Sequence, residues 1–161
     1  MIRPILLAED SEDDAILIQA TLRKAEVLNP VLAVSDGVQA IAYLKGHGFY
    51  ADRVSFPLPA VVLLDLKMPH KNGFQVLEWW KTQPQLKDIL IVVLSGYYDL
   101  ESIRYAYSLG ARSFLIKPCK VEDIMNLRQA FAGSWNEPAT SLPPQGEMKI
   151  TGSTTGRGPR N

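Results

Sequence analysis

The chain has 161 residues, with 17 Lys and Arg against 17 Asp and Glu, so its formal net charge is zero. At 47% hydrophobic and 21% charged residues, the composition is that of a single-core globular protein, not a disordered or fibrous one. Neutrality removes any broad pull toward nucleic acid or anionic membrane, and the single cysteine, Cys119, excludes an intrachain disulfide framework and fits a reducing cytoplasm.

The first apolar run, Ile5 to Ala8, meets the acids Glu9 and Asp10 too soon to be a signal peptide. No apolar run approaches the roughly 20 residues that a membrane span needs. Ala15, Ile18, Leu22 and Ala25 then recur at helical spacing behind Ser11, a suitable N-cap. Val31 to Val34 is a second run, stopped by the turn residues Ser35, Asp36 and Gly37. Ala40, Ile41 and Leu44 mark a short helix that ends at Gly46.

Residues 46–59 form the one long connection, with Tyr50, Phe56, Pro57 and Pro59. They read as a packed surface loop, with partner contact as the alternative. Ala60 to Leu64 is a third run, followed by Asp65 and a loop with Pro69, Asn72 and Gly73. Phe74, Leu77 and Trp80 give a helix that stops near Pro84. The adjacent Trp79 and Trp80 cannot share one helix face, so one is expected in the core and the other at the surface. Ile89 to Leu94 is the most continuous run, and a helix over 100–109 follows, with Gly110 placed for a left-handed C-terminal turn. Ser113 to Ile116 is the last strand, and Ile124, Leu127 and Phe131 mark the last helix.

Five strand–helix repeats with runs apolar at every position predict a doubly wound α/β sandwich around a parallel sheet covered on both faces. The domain is expected over 1–135. Residues 136–161 are rich in Pro, Gly, Ser and Thr, lack periodicity, and are expected to be a disordered tail.

The chemistry gathers at the strand ends. In an open parallel sheet ligands bind outside the carboxyl ends of the strands, where Glu9, Asp10, Asp65, Ser95 and Lys117 all fall. Three carboxylates converging on one pocket repel each other and call for a cation; hard oxygen donors suit Mg²⁺. A hydroxyl and a lysine beside them can neutralise a phosphoryl group carried by an aspartate. Cys119, after Lys117 and Pro118, is expected to be inert packing.

This set of residues resembles the receiver domains of two-component response regulators. Glu9-Asp10, Asp65 within Asp-Leu-Lys-Met-Pro-His-Lys-Asn-Gly, Ser95-Gly96 and Lys117-Pro118 carry the likeness, which spans residues 3–133. It implies a flavodoxin-like (βα)5 fold with a five-stranded sheet in the order 2-1-3-4-5. By the same resemblance Asp65 accepts the phosphoryl group. Glu9, Asp10, Asp65 and the Lys67 backbone carbonyl hold Mg²⁺, Glu9 mainly through a water. Ser95 acts as the switch hydroxyl, Lys117 as its paired cation, and Phe114 as the switch aromatic that turns inward. The Lys117–Pro118 bond is implied to be cis.

The implied partner is a sensor histidine kinase or histidine phosphotransfer protein, with a protein target downstream. The 46–59 connection and the Phe131/Trp135 end resemble stand-alone regulators paired with phytochrome-type kinases, which often form homodimers. Residues 136–161 leave no room for a helix-turn-helix, so direct DNA binding is not expected. Two rivals come from other classes. An aspartate phosphohydrolase wants a second Asp where Lys67 stands, and a phosphorylation-independent adaptor would have no use for the full set of site residues.

Overall fold

The computed structural model describes residues 2–97 and 99–135, together with the backbone of 149–150. Five parallel strands, β1 (Ile5–Ala8), β2 (Val31–Val34), β3 (Val61–Asp65), β4 (Leu90–Ser95) and β5 (Ser113–Ile116), form the sheet in the order β2-β1-β3-β4-β5. Helices α1 (Glu12–Lys24), α2 (Gly37–Lys45), α3 (Gly73–Lys81), α4 (Leu100–Ser108) and α5 (Val121–Ala130) make the crossovers. The order reverses between β1 and β3, as the resemblance implies.

Alternate residues of each strand enter opposite cores. Leu6, Ala8, Val62, Leu64, Ile91, Val93 and Phe114 pack under α2, α3 and α4. Ile5, Leu7, Val61, Leu63, Val92, Leu94 and Leu115 pack under α1 and α5. The expectation of strands covered on both faces holds for β1, β3 and β4, which are buried throughout. β2 departs from it: it is an edge strand, and Val31, Leu32 and Ala33 keep part of their surface in solvent.

Local signals set the helix ends. Ser11 Oγ accepts the Asp14 backbone N–H at 3.2 Å and Asn72 closes a capping box with Gln75, so α1 and α3 start next to the site loops. Gly110 takes φ +113°, the left-handed turn expected after α4. Trp80 is buried and donates from Nε1 to the Leu86 carbonyl at 3.1 Å, while Trp79 is half-buried with the Lys45 ammonium 5.9 Å from its ring.

The 46–59 connection is packed. Tyr43, Phe49, Tyr50 and Phe56 stack with ring centroids 5.0 to 6.2 Å apart, and the Tyr43 hydroxyl donates to the Pro57 carbonyl. On the opposite face the chain closes over the α1–α5 core at Trp135, which is fully buried and whose carbonyl accepts from Asn29 Nδ2 at 2.9 Å.

One feature departs from the expected tail. Lys149–Ile150 adds a two-residue parallel strand, β6, beside β5, with Phe114 opposite Ile150. The rest of the segment 136–161 lies outside the described residues. No helix among the described residues is long and apolar enough to cross a membrane.

Candidate functional site

The turns after β1 and β3 bring an acidic pocket to the carboxyl edge of the sheet. One carboxylate oxygen from each of Glu9, Asp10 and Asp65 lies within 4.8 Å of the others. Glu9 and Asp65 are buried and Asp10 is exposed. Asp65 and Ser95 are the last residues of β3 and β4, one position inside the expected loop starts, so the sheet ladder fixes their backbones. Gly73 lets α3 begin against this floor: a Cβ there would meet the Asp65 carbonyl oxygen at 2.5 Å.

Lys117 answers Glu9 and Asp65, together with a fourth acid, Asp14. Its ammonium lies 2.9 Å from Glu9 Oε1, 3.0 Å from Asp14 Oδ2 and 3.6 Å from Asp65 Oδ1. Burial alone would lower the lysine's pKa, but the hydrogen bonds to Glu9 and Asp14 and the charge of Asp65 outweigh it and hold the ammonium above the ordinary lysine range. Asp65 moves the other way. Burial first, and then the charge of Glu9, push its carboxyl up to about 7, against the pull of Lys117 and of the Lys67 backbone N–H that it accepts. The pocket therefore disfavours its own full ionisation.

Ser95 is buried, and its hydroxyl is engaged at both ends by Tyr97: it donates to the Tyr97 carbonyl and accepts the Tyr97 N–H at 3.2 Å. Phe114 is fully buried in the α2–α4 core. The Lys117–Pro118 bond is cis. A cavity of about 520 Å³ opens over Asp65, Ser95 and Lys117, with Leu17, Ile18 and Pro118 as apolar walls. The ammonium of Lys67 sits 5.0 Å from the Tyr97 ring at its edge.

The sequence reading missed Asp14. It lies one turn past Asp10, at the third position of α1, and its signal was the acidic first turn Glu12-Asp13-Asp14. That pattern reads equally as ordinary complement to the helix dipole.

These features coincide with a family match: the response regulator receiver domain model covers residues 5–129. The chain belongs to the response regulator receiver family. Response regulator Rcp1 of Synechocystis sp. is 33% identical over 136 residues, covering 84% of this chain and 90% of that protein. The crystal structure of response regulator RPA3017 in red light signaling of R. palustris matches with a TM-score of 0.76 at 31% identity, over 86% of this chain and all of that one. The phosphorylated cyanobacterial phytochrome response regulator RcpA matches with a TM-score of 0.70 at 34% identity, over 87% and 98% of the two chains. Rcp1 has also been solved in an Mn(2+)-bound form, which matches with a TM-score of 0.68 over 88% of this chain and 99% of that one. A receiver is a signalling domain.

Proposed function

We propose that this chain is a single-domain response regulator that accepts a phosphoryl group on Asp65 from a histidine kinase or a histidine phosphotransfer protein. The observation that carries this reading is the placement of Asp65: a buried carboxylate, 3.6 Å from Lys117 and lining a cavity of about 520 Å³. In the transfer, the P–N bond of a phosphohistidine breaks, a P–O bond to Asp65 forms, and the imidazole leaves with the bonding pair. Lys117 balances charge on the phosphoryl oxygens, and the Ser95 hydroxyl turns from the Tyr97 carbonyl to donate to one of them.

The donor set fits Mg²⁺: three carboxylates converge with no nitrogen or sulfur ligand among them, the hard-oxygen environment that this ion selects. Glu9, Asp10, Asp65 and the Lys67 carbonyl would hold it, and its charge would offset that of the incoming phosphoryl group. Moving Ser95 opens space beside the buried Phe114, so the surface formed by β4, β5, α4 and α5 changes its preferred packing. A coupling of about 1–3 kcal/mol is enough to alter affinity for a downstream protein 5- to 150-fold. This reading places the exchange in the cytoplasm.

Incubation with Mg²⁺ and phosphoramidate, followed by intact mass measurement, tests the reading. One added phosphoryl group is expected on the native chain and none on Asp65→Asn. An unmodified native chain identifies a binding adaptor instead, and equal labelling of the variant rules out Asp65 as the acceptor.

A further inference from the structure

Lys117 divides its hydrogen bonds between two acids of unequal freedom. An ammonium has three N–H donors. Glu9 and Asp14 take two of them at 2.9 and 3.0 Å, while Asp65, at 3.6 Å, is beyond hydrogen-bond length. The Glu9 side chain is 1% exposed, so releasing it would strand a buried charge. The Asp14 side chain is 40% exposed and would be rehydrated at once.

The position of Asp14 is set from its own backbone. Its N–H donates to Ser11 Oγ, and the Ser11 N–H donates to Glu9 Oε2 at 3.2 Å, so the first turn of α1 orients both acids toward the lysine. Asp14 also lines the cavity that holds Asp65, Ser95 and Lys117, where a phosphoryl donor would enter.

We infer that Asp14 is a positioning residue that holds Lys117 off Asp65 and gives it up to the incoming phosphoryl group. The inference rests on Asp65 as the phosphoacceptor. Each transfer then requires the Asp14–Lys117 contact to open, and Asp14 is a negative charge that a small anionic donor meets on entry. Removing that charge frees one lysine donor for the phosphoryl oxygens. It also leaves the acidic pocket with a less neutralised lysine, which weakens cation binding. The two effects have opposite signs, and a general loosening of the fold would not produce both.

The full-length chain with Asp14→Asn provides the test. Phosphorylation by phosphoramidate in saturating Mg²⁺, followed by intact mass, should be about two- to fivefold faster than in the native chain, the scale of one partly exposed ion pair. Mg²⁺ affinity by calorimetry should fall by a similar factor, and Asp14→Glu should restore both values. In metal-free protein the Lys117 Hε/Cε resonance should shift in Asp14→Asn and return in Asp14→Glu. A native rate and native Mg²⁺ affinity in Asp14→Asn overturn the inference, as does slower acceptance. If the native chain takes no phosphoryl group, the receiver reading itself fails; an unmoved Lys117 resonance would then also remove Asp14 from its holding role.

Discussion

His70 Nδ1 lies 2.8 Å from Asp36 Oδ2, and this contact ties the loop between β3 and α3 to the start of α2. Beside it the Gly37 N–H donates to the Lys71 carbonyl at 3.0 Å, so two bonds hold the loop that leaves Asp65. Asp36 also caps α2, its Oδ1 accepting the Gln39 N–H at 2.8 Å. Burial acts to raise its pKa, but the Gln39 N–H and the His70 ring outweigh this and hold the carboxyl below its usual range.

Asp36→Ala should therefore cost about 1–2 kcal/mol at pH 7, the scale of a lost N-cap with one further partner. The pH dependence follows from the depressed pKa. The contribution is in place above the ordinary value of 3.8 and disappears as pH falls through the lower folded value. Urea midpoints of the native and variant chains should differ at pH 7 and draw together as pH falls below 3.8; a gap that persists in strong acid would assign the loss to packing alone.

The phosphoacceptor has the opposite sign. With its carboxyl pushed up to about 7 by burial and by Glu9, folded Asp65 keeps a proton that the unfolded chain releases near 3.8. Between those values the folded state binds more protons, so stability falls as pH rises across the window. Asp65→Asn removes that penalty. In chelator it should be more stable than the native chain at pH 8, by roughly 1–4 kcal/mol, and nearly equal at pH 4. Mg²⁺ should raise the native melting temperature and leave Asp65→Asn much less changed. Thermal melts in chelator and in Mg²⁺ at both pH values check this.

The same residues show what sequence alone can carry. The alternation of apolar runs and 3.6-residue patterns reports burial, which is why the five strands, the five helices and the strand-end set Glu9, Asp10, Asp65, Ser95 and Lys117 were legible. Asp14 was not, because a carboxylate in a first helical turn looks the same whether it faces water or a lysine 103 positions away. The Ser95 hydroxyl was placed at the site, but its hold on the Tyr97 backbone depends on a turn geometry with no residue signature. β6 was hidden for another reason: two residues are too few to show a period, and the pairing with β5 is decided by the open sheet edge.

Cys119 offers a check on the cavity wall. It is buried beside Pro118, and burial first, then the charge of Asp123, pushes its thiol up to about 11. The thiolate is the reactive form, so a neutral-pH disulfide reagent has little to attack. At pH 8 the native chain should react about 100-fold more slowly than the same chain in denaturant, with one thiol released on unfolding. Fast labelling of the folded protein would show that the groove between α1 and the Lys117–Pro118 turn opens readily.

Arg53 anchors the 46–59 connection from inside. Its Nη1 donates to the carbonyls of Tyr43 and Phe56 at 2.8 and 3.1 Å, and its Nη2 donates to the Leu44 carbonyl at 2.8 Å. Two of those carbonyls belong to the last turn of α2, where backbone donors run short and a cation is favoured; the Tyr43 carbonyl also accepts the Gly46 N–H at 3.1 Å. The guanidinium also lies 5.8 Å from the Tyr43 ring, so it joins the helix end to the aromatic stack. A lysine has no planar fork and cannot reproduce this geometry. Arg53→Lys and Arg53→Ala should both destabilise the chain, by about 1 and about 2–3 kcal/mol, read as urea midpoints. Hydrogen exchange should rise first in the last turn of α2 and in residues 48–56. The helices run antiparallel to the strands, so this connection lies at the edge of the sheet opposite Asp65. The yield of phosphorylated protein should therefore match that of the native chain; a reduced yield would mean that strain at the far edge reaches the acidic pocket.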